Sequence, residues 1–142
     1  MLKSLLVTAS IATLAVGMSF ADQSTTKVTI PVTKTSASSG KQMYASYCAP
    51  CHGTDGRGQG PVASALKTPP PDLTLLSRTN HGKFPDTHIV SVLQNGAEIS
   101  SHGTAEMPVW GPILGKMDVT NPQDKQLRIS NLSFYLRTIQ VK

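Results

Sequence analysis

Apolar positions along the chain come in blocks, and the spacing inside each block differs. Lys3 precedes an apolar run over residues 5–16, followed by Gly17, Met18, Ser19, Phe20 and Ala21. A run this short, behind a basic residue and ahead of small ones, reads as a secretory signal peptide; a membrane span wants roughly 20 apolar residues. Residues 1–21 are assigned to it, with cleavage before Asp22, and no Cys follows that would mark a lipoprotein. An uncleaved N-terminal anchor is the alternative. Residues 22–38 are rich in Ser and Thr with no apolar period beyond Val28, Ile30 and Val32, and read as a flexible or extended arm or one edge strand.

From residue 39 the pattern turns helical, and residues 39–142 are taken as one domain. Ser39 suits an N-cap, and Gly40, Met43, Tyr44 and Tyr47 then fall on one helical stripe. The stripe runs into Cys48-Ala49-Pro50-Cys51-His52 and a Gly-rich loop ending at Gly60-Pro61. Pro69-Pro70-Pro71 breaks the chain before Asp72, the N-cap of a short helix carrying Leu73 and Leu76. Asp86 opens another helix, with Ile89, Val92 and Leu93 on one face and Gly96 as its stop. Residues 97–116, with their Gly and Pro, read as loop. The last helix is predicted from Asn121, with Pro122 at its first position, Asp124 at its third, and a stripe of Ile129, Leu132, Tyr135, Leu136 and Ile139. The fold class is therefore all-α, three to five short helices separated by long loops.

Composition sharpens the picture. The chain has 142 residues with one Trp, three Tyr and three Phe, a thin aromatic supply for a domain with so much loop. Charged residues are 15%, below the roughly 25% usual for soluble domains, which argues against a disordered polyelectrolyte or a coiled coil. Two Cys are too few for a disulfide scaffold. Long ordered loops with little apolar mass need something to close around, and a buried cofactor would supply it.

Cys48-x-x-Cys51-His52 is the attachment pattern for a c-type haem. Two thiols one helical turn apart each add to one vinyl group of the macrocycle, and the following His lies within bonding reach of the iron. A thioredoxin-type dithiol would sit beside a βαβ pattern, which is missing. Structural zinc wants a second ligand pair at close spacing, which His81, His88 and His102 do not form. A plain Cys48 to Cys51 disulfide leaves His52 unexplained. One haem c, covalent through two thioethers, is the cofactor the residues favour.

A single His leaves a sixth position on iron, and what fills it separates electron carrier from catalyst. The candidates are Met43, Met107 and Met117, then His81, His88 and His102. Met43 belongs to a helical stripe and Met117 to packing ahead of the last helix. Met107 stands before Pro108 in a Gly/Pro loop, and the proline biases it towards extended backbone that projects the thioether. Met107 is the favoured ligand, with His102 next.

On these residues the chain resembles the class I cytochrome c family from about residue 40 to 140. The motifs are the Cys48 to His52 pentapeptide, Gly60-Pro61, a late Met107-Pro108 pair and a terminal helix with Leu132 and Tyr135. The Met-Pro-Val-Trp-Gly form is similar to small bacterial periplasmic members. The resemblance implies that the first and last helices cross closely at Gly40, with Tyr44 against Leu132 and Tyr135. It implies that the Pro61 carbonyl accepts a hydrogen bond from the second His52 nitrogen, and that Trp110 packs near the haem edge. The arm before residue 40 departs from the family pattern.

A His/Met pair keeps iron six-coordinate in both oxidation states and leaves no place for a substrate. The functional expectation is a periplasmic one-electron carrier, not an enzyme, exchanging electrons with periplasmic or membrane oxidoreductases. A relay subunit of a multicomponent dehydrogenase or terminal oxidase is the alternative, and a catalyst with labile Met107 a third. With a net charge of +5, Lys41, Lys67, Lys83 and Lys116 are candidates for steering an acidic partner. Nothing points to nucleic acid, and a cleaved signal leaves no membrane insertion.

Overall fold

The computed structural model describes residues 31–96 and 107–141. Within them the chain is helical, with no strand and no helix long and apolar enough to cross a membrane. The signal segment, residues 22–30 and His102 lie outside the described residues.

The first helical stretch is continuous but not uniform. Ser39 caps it as its sequence predicts, its hydroxyl accepting the Gln42 N–H at 3.2 Å. Helix α1 (Gly40–Met43) passes into a π-helical segment (Tyr44–Cys48) and then α2 (Ala49–His52). In the wide turn the Ala49 N–H reaches back to the Tyr44 carbonyl. Pro50, with no N–H to give, stands in the first turn of α2, where that loss costs least. The two thiols and His52 are thereby carried on one rigid helical run.

Short 3-10 turns at Ala63–Ala65 and Leu73–Leu75 lead to α3 (Leu76–Thr79) and α4 (Asp86–Asn95). Asp72 caps the second of these turns, its carboxylate accepting the Thr74 N–H at 2.8 Å and the Thr74 hydroxyl at 2.6 Å. Ile89 and Leu93 turn inward from α4, which stops at Gly96 in the left-handed region, φ 93°.

The segment expected to be loop from 97 to 116 contains a helix, α5 (Trp110–Gly115). Its Pro112 sits in the first turn, where a missing N–H is tolerated. Gly111 is there because a Cβ would lie 2.2 Å from the Gln94 carbonyl oxygen of α4. The residues that looked like breakers are the ones that let this turn pack.

Helix α6 (Asp124–Thr138) starts two residues later than its sequence suggests, since the sequence predicts Pro122 at the first position. Asn121 caps a turn leading into it, its side chain accepting the Gln123 N–H at 3.1 Å. Ile129, Leu132 and Leu136 are buried and pack with Met43, Tyr44, Tyr47, Leu93, Trp110 and Leu114 as the core. The α1 and α6 backbones touch at Gly40, where a Cβ would stand 2.1 Å from the Asn131 carbonyl oxygen. Tyr44 meets Tyr135 there, ring centroids 5.2 Å apart. The crossing implied by the resemblance is present.

Part of the Ser/Thr-rich arm is docked against the helices. Thr35 is buried, the Asn131 amide donates to the Ala37 carbonyl at 2.9 Å, and the Ser36 N–H donates to Gln42 at 3.1 Å. A boundary at residue 39 is therefore too late for this stretch. Its Ser and Thr side chains read as solvated polarity in sequence, but residues 33–37 spend polar groups on the body of the domain.

Candidate functional site

Around the C-terminal end of the first helical run, the elements leave a cavity of about 290 Å³, at the lower end of the roughly 300–1,000 Å³ usual for small-molecule sites. Cys48, Cys51 and His52 line one part of it. Leu73, Ile89, Leu93 and Leu136 supply apolar walls, and Met107, Pro108 and Trp110 line it from the segment before and within α5. The sequence places these residues far apart, and the fold brings them together.

His52 is buried and its ring is held. Nδ1 lies 3.2 Å from the Pro71 carbonyl oxygen, which has no proton to give, so Nδ1–H is the donor and Nε2 keeps its lone pair. Burial pushes the imidazole pKa down and so favours the neutral, ligating form; the Pro71 hydrogen bond partly opposes it. The partner differs from the one implied by the resemblance. Pro61 is exposed and does not line the cavity.

The reason lies in how the Gly-rich loop closes the helix. Gly58, Gly60 and Val62 donate their N–H groups to the carbonyls of His52, Cys51 and Pro50 at 2.7, 3.0 and 3.0 Å. That loop is used in capping α2 and leaves Pro61 facing outward. Gly58 then allows the proline stretch to approach, since a Cβ there would lie 2.2 Å from the Pro70 carbonyl oxygen. The approach delivers the next carbonyl, Pro71, to His52.

Cys48 and Cys51 are both free thiols. Burial, then the neighbouring Cys51, pushes the Cys48 thiol up to about 12, and burial raises Cys51 as well. Both stay protonated near neutral pH in this packed state, so they are held as neutral groups facing an apolar cavity. Among the described residues no three His, Cys, Asp or Glu side chains come together as a metal-ion cage.

Among the methionines, Met43 is buried in the core and Met117 lies 3.5 Å from the Tyr47 hydroxyl; Met107 is the described one that lines the cavity. Of the histidines, His88 lines the cavity from α4 with an exposed side chain, whereas His81 is exposed and away from it. Trp110 is 3% exposed and stacks on Tyr47, centroids 5.5 Å apart. Lys41, Lys67, Lys83 and Lys116 are exposed and none lines the cavity.

Two participants were missed in sequence: Pro71, hidden in a triple proline, and Tyr47, read as stripe core. A Tyr directly before the first thiol was the available signal for the second. The set fits a haem c: two thiols and a neutral imidazole on one helical run, an apolar enclosure, and a soft thioether on the same cavity.

Comparison with known families agrees with that donor set. The family model described as cytochrome C oxidase, cbb3-type, subunit III matches residues 35–121. The match begins at Thr35, inside the docked strap, and covers the thiols, His52 and Met107. No curated protein matches the chain.

Proposed function

The chain belongs to the cytochrome c oxidase, cbb3-type, subunit III family, and from that premise we propose that it is an exported carrier of single electrons. It is a c-type cytochrome domain, and its role is electron transfer. In the proposed reading Cys48 and Cys51 would hold one haem c covalently, and His52 and Met107 would ligate its iron. The observation that carries it is the convergence of those four side chains on one apolar cavity.

Each residue has a separate task. Cys48 and Cys51 fix the cofactor so that it is not exchanged. Pro71 orients His52 and makes its Nε2 a better donor. The Met107 thioether, soft and weakly basic, favours the reduced metal and closes the position a substrate would need. Leu73, Ile89, Leu93 and Leu136 would exclude water, so that little solvent has to rearrange when the charge on the site changes. When bound, the haem supplies the one-electron couple.

The family description favours a second arrangement, in which the chain relays electrons as a subunit of a terminal oxidase. Both arrangements require the same site, and they differ in whether the chain is purified alone or within a complex.

Export and covalent attachment are tested on the protein purified from an expressing, haem-loading host. Intact-mass analysis should show the chain without residues 1–21 plus one haem that acidified organic solvent does not extract. Extractable haem, or two haems, would overturn the attachment. A potentiometric titration should follow a single one-electron wave.

A further inference from the structure

Residues 33–37 form a strap whose hydrogen bonds run one way, from a buried charge to the wall of the cavity. Arg128 is 2% exposed and pairs with Asp124; its Nη1 donates to the Thr35 carbonyl at 2.9 Å and to the Thr35 hydroxyl at 3.2 Å. A guanidinium only donates, so the Thr35 oxygen is the acceptor there and its own proton is free for the next partner. That partner is the Tyr47 hydroxyl oxygen at 2.8 Å. The Tyr47 proton goes on to the Thr33 carbonyl at 2.5 Å. The Met117 sulfur, 3.5 Å from the same hydroxyl, is a second and weaker acceptor for that proton; with the Tyr47 proton engaged by either, the Thr35 hydroxyl donates to Tyr47, and a chain anchored on a charge is stiffer than its members taken singly.

Tyr47 sits at the end of this chain with its ring on the cavity. The ring stacks on Trp110 at 27° between planes, and Trp110 is three residues past Met107 on the same segment. We infer that Arg128 and Thr35 are positioning residues of the cofactor site, holding the Tyr47 and Trp110 wall and through it the seat of the Met107 thioether. The inference rests on the proposed axial role of Met107. It extends that reading to residues on the far side of the wall, where neither touches the cavity. The strap is then part of the site and not merely a leader into the domain.

The experiment uses the holoprotein and exogenous imidazole, which competes with Met107 for ferric iron and so reads how firmly the thioether is seated. Thr35→Val removes the hydroxyl and keeps the shape and the carbonyl bond to Arg128; Thr35→Ser keeps the hydroxyl and loses the methyl. Imidazole affinity should rise about tenfold in Thr35→Val, the size of loss typical for an outer hydrogen-bond partner of a metal ligand. Thr35→Ser should match the wild type. Tyr47→Phe keeps the ring, gives the same rise, and combined with Thr35→Val adds nothing further, since both cut one chain.

An equal rise in the Val and Ser variants would mean packing alone, and no rise in Thr35→Val or in Tyr47→Phe would leave the strap outside the site. Either result overturns the inference. A wild-type protein without covalent haem, or without a Met-ligated ferric spectrum, would instead overturn the parent reading.

Discussion

Gly40 and the carbonyl of Asn131 approach so closely that a methyl group at residue 40 would lie 2.1 Å from the oxygen. The contact is backbone against backbone, with no flexible side chain to yield. It sets the distance between the helix that carries the thiols and the helix that closes the core. Gly40→Ala is therefore expected to destabilise the protein by at least about 1–3 kcal/mol, the range for overpacking a tight contact. Alanine's better helix propensity works in the other direction and is smaller, about 1 kcal/mol. Urea unfolding of the two proteins checks the sign.

The two ion pairs on α6 should behave differently although each joins an Asp to an Arg. Arg128 and Asp124 are both buried, while Arg137 and Asp86 are about half exposed. Asp124→Ala strands a buried guanidinium and should cost about 3–5 kcal/mol. Asp86→Ala releases a solvated one and should cost about 0–1 kcal/mol. Equal losses in denaturant titrations would contradict this account of how α6 is held.

Most of the helical frame could be read from the sequence because it is written in local signals. Ser39 and Asp72 act as caps, Gly96 stops α4, and the α6 stripe of Ile129, Leu132 and Leu136 is core. What escaped depends on contacts between distant residues. Gly111 and Pro112 mark a loop by local rules, yet the first needs to fit against Gln94 and the second occupies a helix's first turn. Pro61 and Pro71 are alike in composition, and only the path of the loop decides which carbonyl meets His52. Arg128 looks like the polar face of a helix until Thr35 arrives from 93 positions away. The thiols, His52, Met107 and Trp110 stand out in sequence because each motif is local, and what the fold adds is that they line one cavity.

Acid should weaken the Asp72 corner. The bond from the Thr74 hydroxyl holds the Asp72 carboxyl below its ordinary range; desolvation opposes it, and the Thr74 N–H and the Arg57 charge add to it. A carboxyl whose folded pKa is depressed binds fewer protons than in the unfolded chain. Its contribution is fully present above the unfolded value, near 4, and is lost as pH falls through the lower folded value. Asp72→Asn should therefore lower stability at neutral pH and narrow the gap to wild type as pH drops below about 4. Unfolding midpoints measured across that window give the comparison, and a constant gap would contradict it.

Removing the thioether should open the site without dismantling it. Met107 is only partly buried, so Met107→Ala leaves the core of Met43, Leu93, Leu114 and Ile129 in place. The reduced variant should bind carbon monoxide rapidly, and its reduction potential should fall with the loss of a soft ligand. An unchanged potential and spectrum would assign the sixth position to another residue.

The central claim is that four side chains on one cavity hold a six-coordinate haem c that only passes electrons. It is tested most directly by the optical spectrum of the purified wild-type protein in both redox states, with carbon monoxide added to the reduced form. The account predicts a low-spin ferric spectrum with the near-red charge-transfer band of a Met-ligated haem, and a ferrous spectrum that carbon monoxide leaves unchanged. A high-spin ferric spectrum, or prompt binding of carbon monoxide, would contradict it.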